Sequence, residues 1–224
     1  YKPREEQGLL KRYSDITQVD MSLGNWLVLS SANYFLEDAK DLCEIQGWYY
    51  QCKGINSVPL KLLLALNNWE HWRKGDLLNH LEIKNIYEYL GSSVLPGFQK
   101  GKTLHSDAKY TLKECQEQHG LIASDVWYNS FEGLDPMTET YIRNMRANGE
   151  TLNKNPRIKM STIHAAKGGE ADNVLLMQDL TGAALETFSH DPDELHRLFY
   201  TGATRAKREL HVLDPKNFDR AYII

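Results

Sequence analysis

Residues 158–177 read IKMSTIHAAKGGEADNVLLM, and this stretch decides the fold. Ile158, Met160, Thr162 and Ile163 form a short β-favouring run. Residues 174–177 are continuously apolar, as a strand is when both faces of its sheet are covered. Between them lies a dense polar turn of His164, Lys167, Gly168, Gly169, Glu170, Asp172 and Asn173. The double glycine suggests backbone that needs positive φ or close approach to another group. A strand-loop-strand at the edge of a parallel sheet is where α/β proteins place ligand loops. On composition alone, a solvated turn between two core strands is the simpler reading.

Length and composition set the bounds. The chain has 224 residues, enough for one large domain or two small ones. Hydrophobic residues make up 42% and charged residues 25%, ordinary for a globular protein with a real core. The net charge of −4 argues against a basic coat over the whole surface but leaves room for a local basic patch. Cys43, Cys52 and Cys115 are odd in number and lack metal-ligand spacing, so no disulfide framework or zinc site is expected. A reducing, cytoplasmic setting fits. No apolar run reaches membrane-spanning length, and the N-terminus lacks a secretory pattern. The chain opens at Tyr1 rather than Met and is expected to be part of a longer protein.

In chain order, residues 1–21 are polar and mixed and read as a strand-poor lead-in. Residues 23–31 read as the first strand. Ser31 or Asn33 is placed to cap a helix over 34–45, which Gly47 closes. Residues 49–52 read as a second short strand. From Val58 the character changes. Leucines crowd a helix, Trp69 and Trp72 follow, and helical spacing recurs to Ala147 without a clear strand. Turns are expected at Leu95-Pro96-Gly97, Gly120 and Asp135-Pro136. Trp69, Trp72 and Trp127 could stack on bases, but core positions are the better reading.

Two further stretches need a decision. Gly101-Lys102-Thr103 mimics the end of a phosphate-binding loop, but Gly97 is one position too close and no apolar strand precedes it. It reads as a chance match. Arg143, Arg146, Lys154, Arg157, Lys159 and Lys167 face only Glu150 and could track phosphates. A solvated helix end with a linker explains them as well. Residues 179–190 read as a loop. Asp191-Pro192-Asp193 then starts a helix, with proline in the first turn and acids near the positive end of the dipole. A strand follows over 210–213, and residues 218–224 read as a short tail.

Residues 162–170 are Thr-Ile-His-Ala-Ala-Lys-Gly-Gly-Glu, and residues 197–206 are Arg-Leu-Phe-Tyr-Thr-Gly-Ala-Thr-Arg-Ala. In this order they closely resemble motifs V and VI of the UvrD/Rep family of superfamily 1 DNA helicases. The resemblance implies an α/β fold, a RecA-like parallel sheet flanked by helices, with a mostly helical inserted subdomain. It implies a lead-in over 1–21, a discontinuous second RecA-like domain over 22–57 and 156–224, and an insertion over 58–155.

The resemblance also implies roles. Arg205 is the arginine finger that neutralises charge on the γ-phosphate, a catalytic part. Glu170 contacts the nucleotide ribose, and Gly168 lets the loop approach the nucleotide. Thr162, His164 and Lys167 contact the DNA backbone. Arg197 is structural. The implied cofactor is ATP with Mg2+, held mainly by an N-terminal RecA-like domain outside this chain. The other implied partner is single-stranded DNA or a single/double-strand junction, with no membrane. Gly169 stands where the family commonly has leucine and Ala171 where it has an aromatic residue, so local packing should differ. Ser31-Ala32-Asn33 lacks the family's arginine, and no role passes to it. No phosphate-binding loop or metal-holding acidic pair is recognised, so the chain alone is expected to be inactive. The reading from another class is a helicase-like domain without ATPase activity that binds DNA or protein.

Overall fold

The computed structural model describes residues 8–91, 104–152, 154–166 and 168–224. Lys167, the Gly101-Lys102-Thr103 stretch and the turn at Leu95-Pro96-Gly97 lie outside them. The chain divides into two compact units, Tyr1–Ser57 with Asn144–Ile224, and Val58–Arg143. The return from the second unit falls twelve residues before position 156, within the last long helix of the helical stretch.

The first unit is an α/β fold of the RecA-like class. Its strands are β1 (Leu9–Tyr13), β2 (Trp26–Ser30), β3 (Tyr50–Cys52), β4 (Ile55–Asn56), β7 (Ile158–Thr162), β8 (Ala171–Met177) and β9 (Ala206–Leu213). They form one sheet in the order β1-β9-β8-β2-β7-β3-β4. Every pairing is parallel except β3 with β4. β2 sits at the centre and is buried at all five positions, as a strand covered on both faces must be.

The stretch read as lying at a sheet edge therefore lies in the middle. β7 and β8 flank β2, and the eight residues 163–170 cross over it. Parallel neighbours usually need a crossover of a dozen or more residues with a helix. Here the loop manages without one because it packs its own apolar residues on the sheet. Ile163 and Ala166 are buried with Leu27, Leu29, Val174 and Leu176 of the strands beneath.

The rest of that face is covered by α7 (Gly182–His190) and α8 (Pro192–Ala203), with Leu195 and Phe199 pointing inward. The helix α7 replaces the loop expected over 179–190. Thr181 starts it, accepting the Ala184 N–H on Oγ1 at 3.0 Å, and Ala183, Ala184, Leu185 and Glu186 are good helix formers. The C-terminal tail is stitched to the same core. Tyr222 stacks on Phe199 with centroids 4.3 Å apart, and its carbonyl accepts from Gln178 Nε2 at 2.9 Å.

Two further differences have local causes. The lead-in contains β1, an edge strand exposed at four of its five residues. Lys11 and Arg12 give it the charged character that protects a free edge, and that polarity hid it in the sequence. Ahead of α1 (Glu37–Gln46) a 3-10 turn occupies Asn33–Leu36, so neither Ser31 nor Asn33 caps the helix. Ser31 Oγ instead donates to the Asp179 carbonyl at 2.6 Å. Gly47 does end α1, at φ 69°.

His211 of β9 is 3% exposed, stacked on Tyr13 and tilted against Trp26. Its Nδ1 lies 3.1 Å from the Tyr13 hydroxyl. Its Nε2 lies 3.2 Å from Glu209 Oε2 without hydrogen-bond alignment. Glu209 is itself paired with Lys11 at 2.7 Å. Burial pushes the His211 pKa down, against the smaller pull of Glu209. The folded state thus holds a neutral imidazole that the unfolded chain protonates first. That contribution to stability is present above the unfolded value of about 6.5 and is lost as pH falls through the lower folded value. The melting temperature is expected to drop between about pH 7 and pH 5.5, on either side of that unfolded value. His211→Phe, which keeps the stacked ring, should flatten that drop. An equally steep drop in the variant would remove His211 as the cause.

The second unit is mostly helical, with α2 (Leu60–Arg73), α3 (His80–Tyr87), α4 (Leu112–Gln118), α5 (Trp127–Ser130) and most of α6 (Pro136–Ala147). It also holds a two-residue antiparallel ladder of β5 (Leu78–Asn79) and β6 (Lys109–Tyr110), too short to show a period in sequence. Asn79 with Glu82, and Thr111 with Glu114, form capping boxes that start α3 and α4. Trp69, Trp72 and Trp127 are core residues, none more than 4% exposed. The Trp69 and Trp72 indoles donate to the carbonyls of Asp125 and Tyr110 at 3.0 and 2.9 Å, so they offer no stacking platform. Among the described residues no helix is long and apolar enough to cross a membrane.

Candidate functional site at the two ends of the crossover

The register sets where each candidate residue lies. Six of the seven strands run parallel, so they share one N-terminal and one C-terminal edge. Thr162 pairs with Ser30 at the C-terminal end of β2, whereas Asn173 pairs with Trp26 at its start. The crossover must therefore return along β2 by four residues, roughly 13 Å at the rise of a strand. Thr162 and His164 stand at the C-terminal edge, and Glu170 stands at the N-terminal edge beside Arg205. These candidates form two clusters joined by one loop.

At the first end, Ile163 N–H donates to the Ser30 carbonyl at 2.9 Å and continues the ladder for one step. The chain then turns, with Ala166 N–H donating to the Thr162 carbonyl at 3.0 Å. Thr162 Oγ1 accepts from Ala165 N–H at 3.3 Å, which leaves its hydroxyl proton free to donate outward. His164 is exposed. Gly168 has φ +88° with open space where a side chain would begin. Its backbone conformation, not crowding, demands glycine. Gly169 has no such demand on φ. It lies against Leu27, where a Cβ would come 3.9 Å from Cδ2.

At the second end, Glu170 is exposed and lies 3.5 Å from Lys207 Nζ. Ala171 N–H donates to the Arg205 carbonyl at 3.2 Å. This bond fixes the residue after Glu170 against Arg205. Arg205 follows α8 directly. Its Nε donates to the Thr201 carbonyl at 3.1 Å, and the same carbonyl accepts from Thr204 Oγ1 at 3.0 Å. The inner side of the guanidinium is thereby held, and the Nη atoms have no carboxylate partner among the described residues. Arg205 is half-buried, so the fork is oriented but reachable. At Glu170, a pocket of about 390 Å³ is lined by Asn25, Arg157, Lys159, Glu170 and Lys207, among others, and Arg205 is not part of its lining.

The basic run of the sequence is partly paired, and Lys154 stays exposed. Arg157 is tied to Glu150 at 2.5 Å and to the Met21 carbonyl. Arg143 pairs with Glu139 at 2.6 Å and lies over the Tyr128 ring. Of the run, Lys159 keeps an exposed position on the sheet face. Arg197 is exposed on α8 and forms no ion pair among the described residues. Among the described residues no group of three or more His, Cys, Asp or Glu could hold a metal ion.

Residues 131–215 match the family model of the UvrD-like helicase C-terminal domain. The chain carries a UvrD-like helicase C-terminal domain. The match spans β7, the crossover, β8, both covering helices and β9, which between them carry every candidate residue. No curated protein matches the chain. Sequence reasoning missed Gly202. A Cβ there would come 3.2 Å from Leu176 Cδ1 and 3.3 Å from Ile163 Cγ2. The last turn of α8 thus rests directly on the first residue of the crossover in the UvrD-like domain. A glycine near the end of a helix was the one available signal, and it reads there as an ordinary helix terminus rather than as a close contact.

Proposed function

We propose that this UvrD-like domain is the second RecA-like half of an ATP-dependent DNA helicase. The reading rests above all on the bond from Ala171 N–H to the Arg205 carbonyl, which keeps Glu170 and Arg205 at one edge of the sheet. A carboxylate and a guanidinium so held suit the ribose and the γ-phosphate of one nucleotide. Arg205 would orient its Nη fork at phosphate oxygens, Glu170 would accept from ribose hydroxyls once it exchanges Lys207, and Gly168 keeps the loop low. ATP with Mg2+, when bound, supplies the phosphoryl group and most of the local positive charge. An N-terminal RecA-like domain would hold it. Nucleotide closure pulls on the Glu170 end of the crossover and therefore on Thr162 and His164 at the other. Lys167 joins those two as a proposed contact to the DNA backbone. A shared loop is a direct way for two sites to bias one conformational change.

Thr162→Ala combined with His164→Ala should weaken single-stranded DNA binding by the complete protein about equally on all sequences, because backbone contacts carry no base information. A loss on the order of a hundredfold or more follows from two hydrogen bonds to charged oxygens at about 1.5–3 kcal/mol each. If the double variant binds and translocates like the parent, the loop does not contact DNA.

A further inference from the structure

The last residues of the chain form a strap beside the C-terminal end of β8. After β9, a 3-10 turn occupies Phe218–Arg220, started by Asn217, whose side chain accepts the Asp219 N–H at 2.9 Å. The strap then runs antiparallel to the residues that follow β8. Leu180 N–H donates to the Arg220 carbonyl at 2.8 Å, and Tyr222 N–H donates to the Gln178 carbonyl at 2.9 Å. Gln178 Nε2 returns a bond to the Tyr222 carbonyl, and Asp179 Oδ1 accepts from Lys216 N–H at 3.0 Å. Gln178 and Asp179 are buried. The backbone of Tyr222 is therefore fixed to β8 through buried partners.

The Tyr222 side chain reaches α8. Its ring stacks on Phe199 with the planes 15° apart, an arrangement favourable for an aromatic pair. Its hydroxyl lies 2.6 Å from His196 Nδ1. His196 and Phe199 are neighbours at i, i+3 on one side of the helix, so Tyr222 holds two successive turns. Asp191 makes no side-chain capping bond to the first turn. The helix is seated instead by its buried residues Leu195, Phe199 and Gly202. Gly202 meets the crossover one turn after Phe199. The strap and the crossover thus hold α8 at two separate points, which sets its tilt where one point would not. Arg205 follows directly, with Nε bonded to the Thr201 carbonyl, so the direction of its fork follows the last turns of α8.

We propose that Tyr222 is a positioning residue for Arg205, and that the strap keeps the finger in place by seating α8. The inference rests on the helicase reading for the task of Arg205. Gln178, His196, Phe199 and Tyr222 are not among the proposed ligand contacts, so the strap acts only through the helix.

The test uses the complete protein and single-turnover hydrolysis of labelled ATP in the presence of DNA, so that slow variants stay measurable. ATP affinity and melting temperature are measured beside it. Tyr222→Leu keeps apolar cover on Phe199 but loses the flat stack and the hydroxyl. It should lower the rate by about tenfold, less than the hundredfold that a displacement of about 1 Å can cost. ATP affinity should stay within about twofold, because a finger acts on charge that develops in the transition state. Tyr222→Phe keeps the stack and should stay within about threefold of the parent rate. The deciding comparison is Tyr222→Leu in an Arg205→Ala background, where it should cost no more than about twofold, since nothing is left to position. The same tenfold loss in both backgrounds would make Tyr222 a general stabiliser and overturn the proposal. A loss in Tyr222→Phe as large as in Tyr222→Leu would overturn the stack as the contact that seats α8. An unchanged rate in Tyr222→Leu, with Arg205→Ala still impaired, overturns the strap and leaves the helicase reading standing. A parental rate in Arg205→Ala removes the finger, and the strap's role with it. Tyr222→Met, which fills the same space flexibly, is the second disrupting variant and is read in the same way if Tyr222→Leu does not fold.

Discussion

Arg205→Ala in the complete protein should lower DNA-stimulated ATP turnover by about a thousandfold to a hundred-thousandfold, the range that removal of an arginine finger produces. The residue is prepared for this role. Nε is occupied by the Thr201 carbonyl, and the Nη fork stays half-buried and free of carboxylates among the described residues. Little reorganisation is then needed when charge develops on the transferred group. Arg205→Lys should restore little, because an ammonium cannot span two phosphate oxygens as the planar fork does. The comparison residue matters. Lys207 is near and equally basic, but it lies 3.5 Å from Glu170, so its removal would disturb the proposed ribose contact. Arg208→Ala is the better control, since its side chain is exposed on the same strand.

Gly202→Val should lower turnover by about a hundredfold with a smaller loss of stability. A Cβ at this position already crowds Leu176 and Ile163 at 3.2 and 3.3 Å. A β-branched residue must lift the last turn of α8 or push the crossover aside. Overpacking of this kind costs about 1–3 kcal/mol. Arg205 lies three residues later and takes its orientation from Thr201 and Gly202. A displacement of about 1 Å at such a point can cost a hundredfold in rate. Gly202→Ala should be milder, because the gain in helix propensity of about 0.8–1 kcal/mol offsets part of the clash. The checks are melting temperature and turnover for both variants. Unchanged turnover in Gly202→Val would mean that the helix contact does not set the position of Arg205.

Some elements were legible in the sequence and others concealed, for physical reasons. β8 was visible because its residues 174–177 are all buried and therefore apolar throughout. The end of α1 was visible because Gly47 takes a left-handed conformation that few other residues adopt. β1 was concealed because an exposed edge strand carries no hydrophobic alternation. β4 was concealed because it has two residues. The central placement of β7 and β8 could not be read from their own residues, since strand order depends on partners far away in the chain. The motif residues Thr162, His164, Gly168, Glu170 and Arg205 were legible by resemblance. The division of Thr162 and Glu170 between two edges of the sheet became visible only through the register. Gly202 was passed over because what makes it necessary is the approach of Ile163, from a segment far earlier in the chain.

Turnover and nucleotide affinity, measured separately in the complete protein with Arg205→Ala, test the finger role most directly. A group that acts on charge developing in the transition state lowers turnover while ground-state affinity changes little. Turnover is expected to fall by at least about a thousandfold, with ATP affinity within about tenfold of the parent and the melting temperature unchanged. Turnover equal to that of Arg208→Ala, or a loss of turnover matched by loss of the fold, would contradict a catalytic role for Arg205.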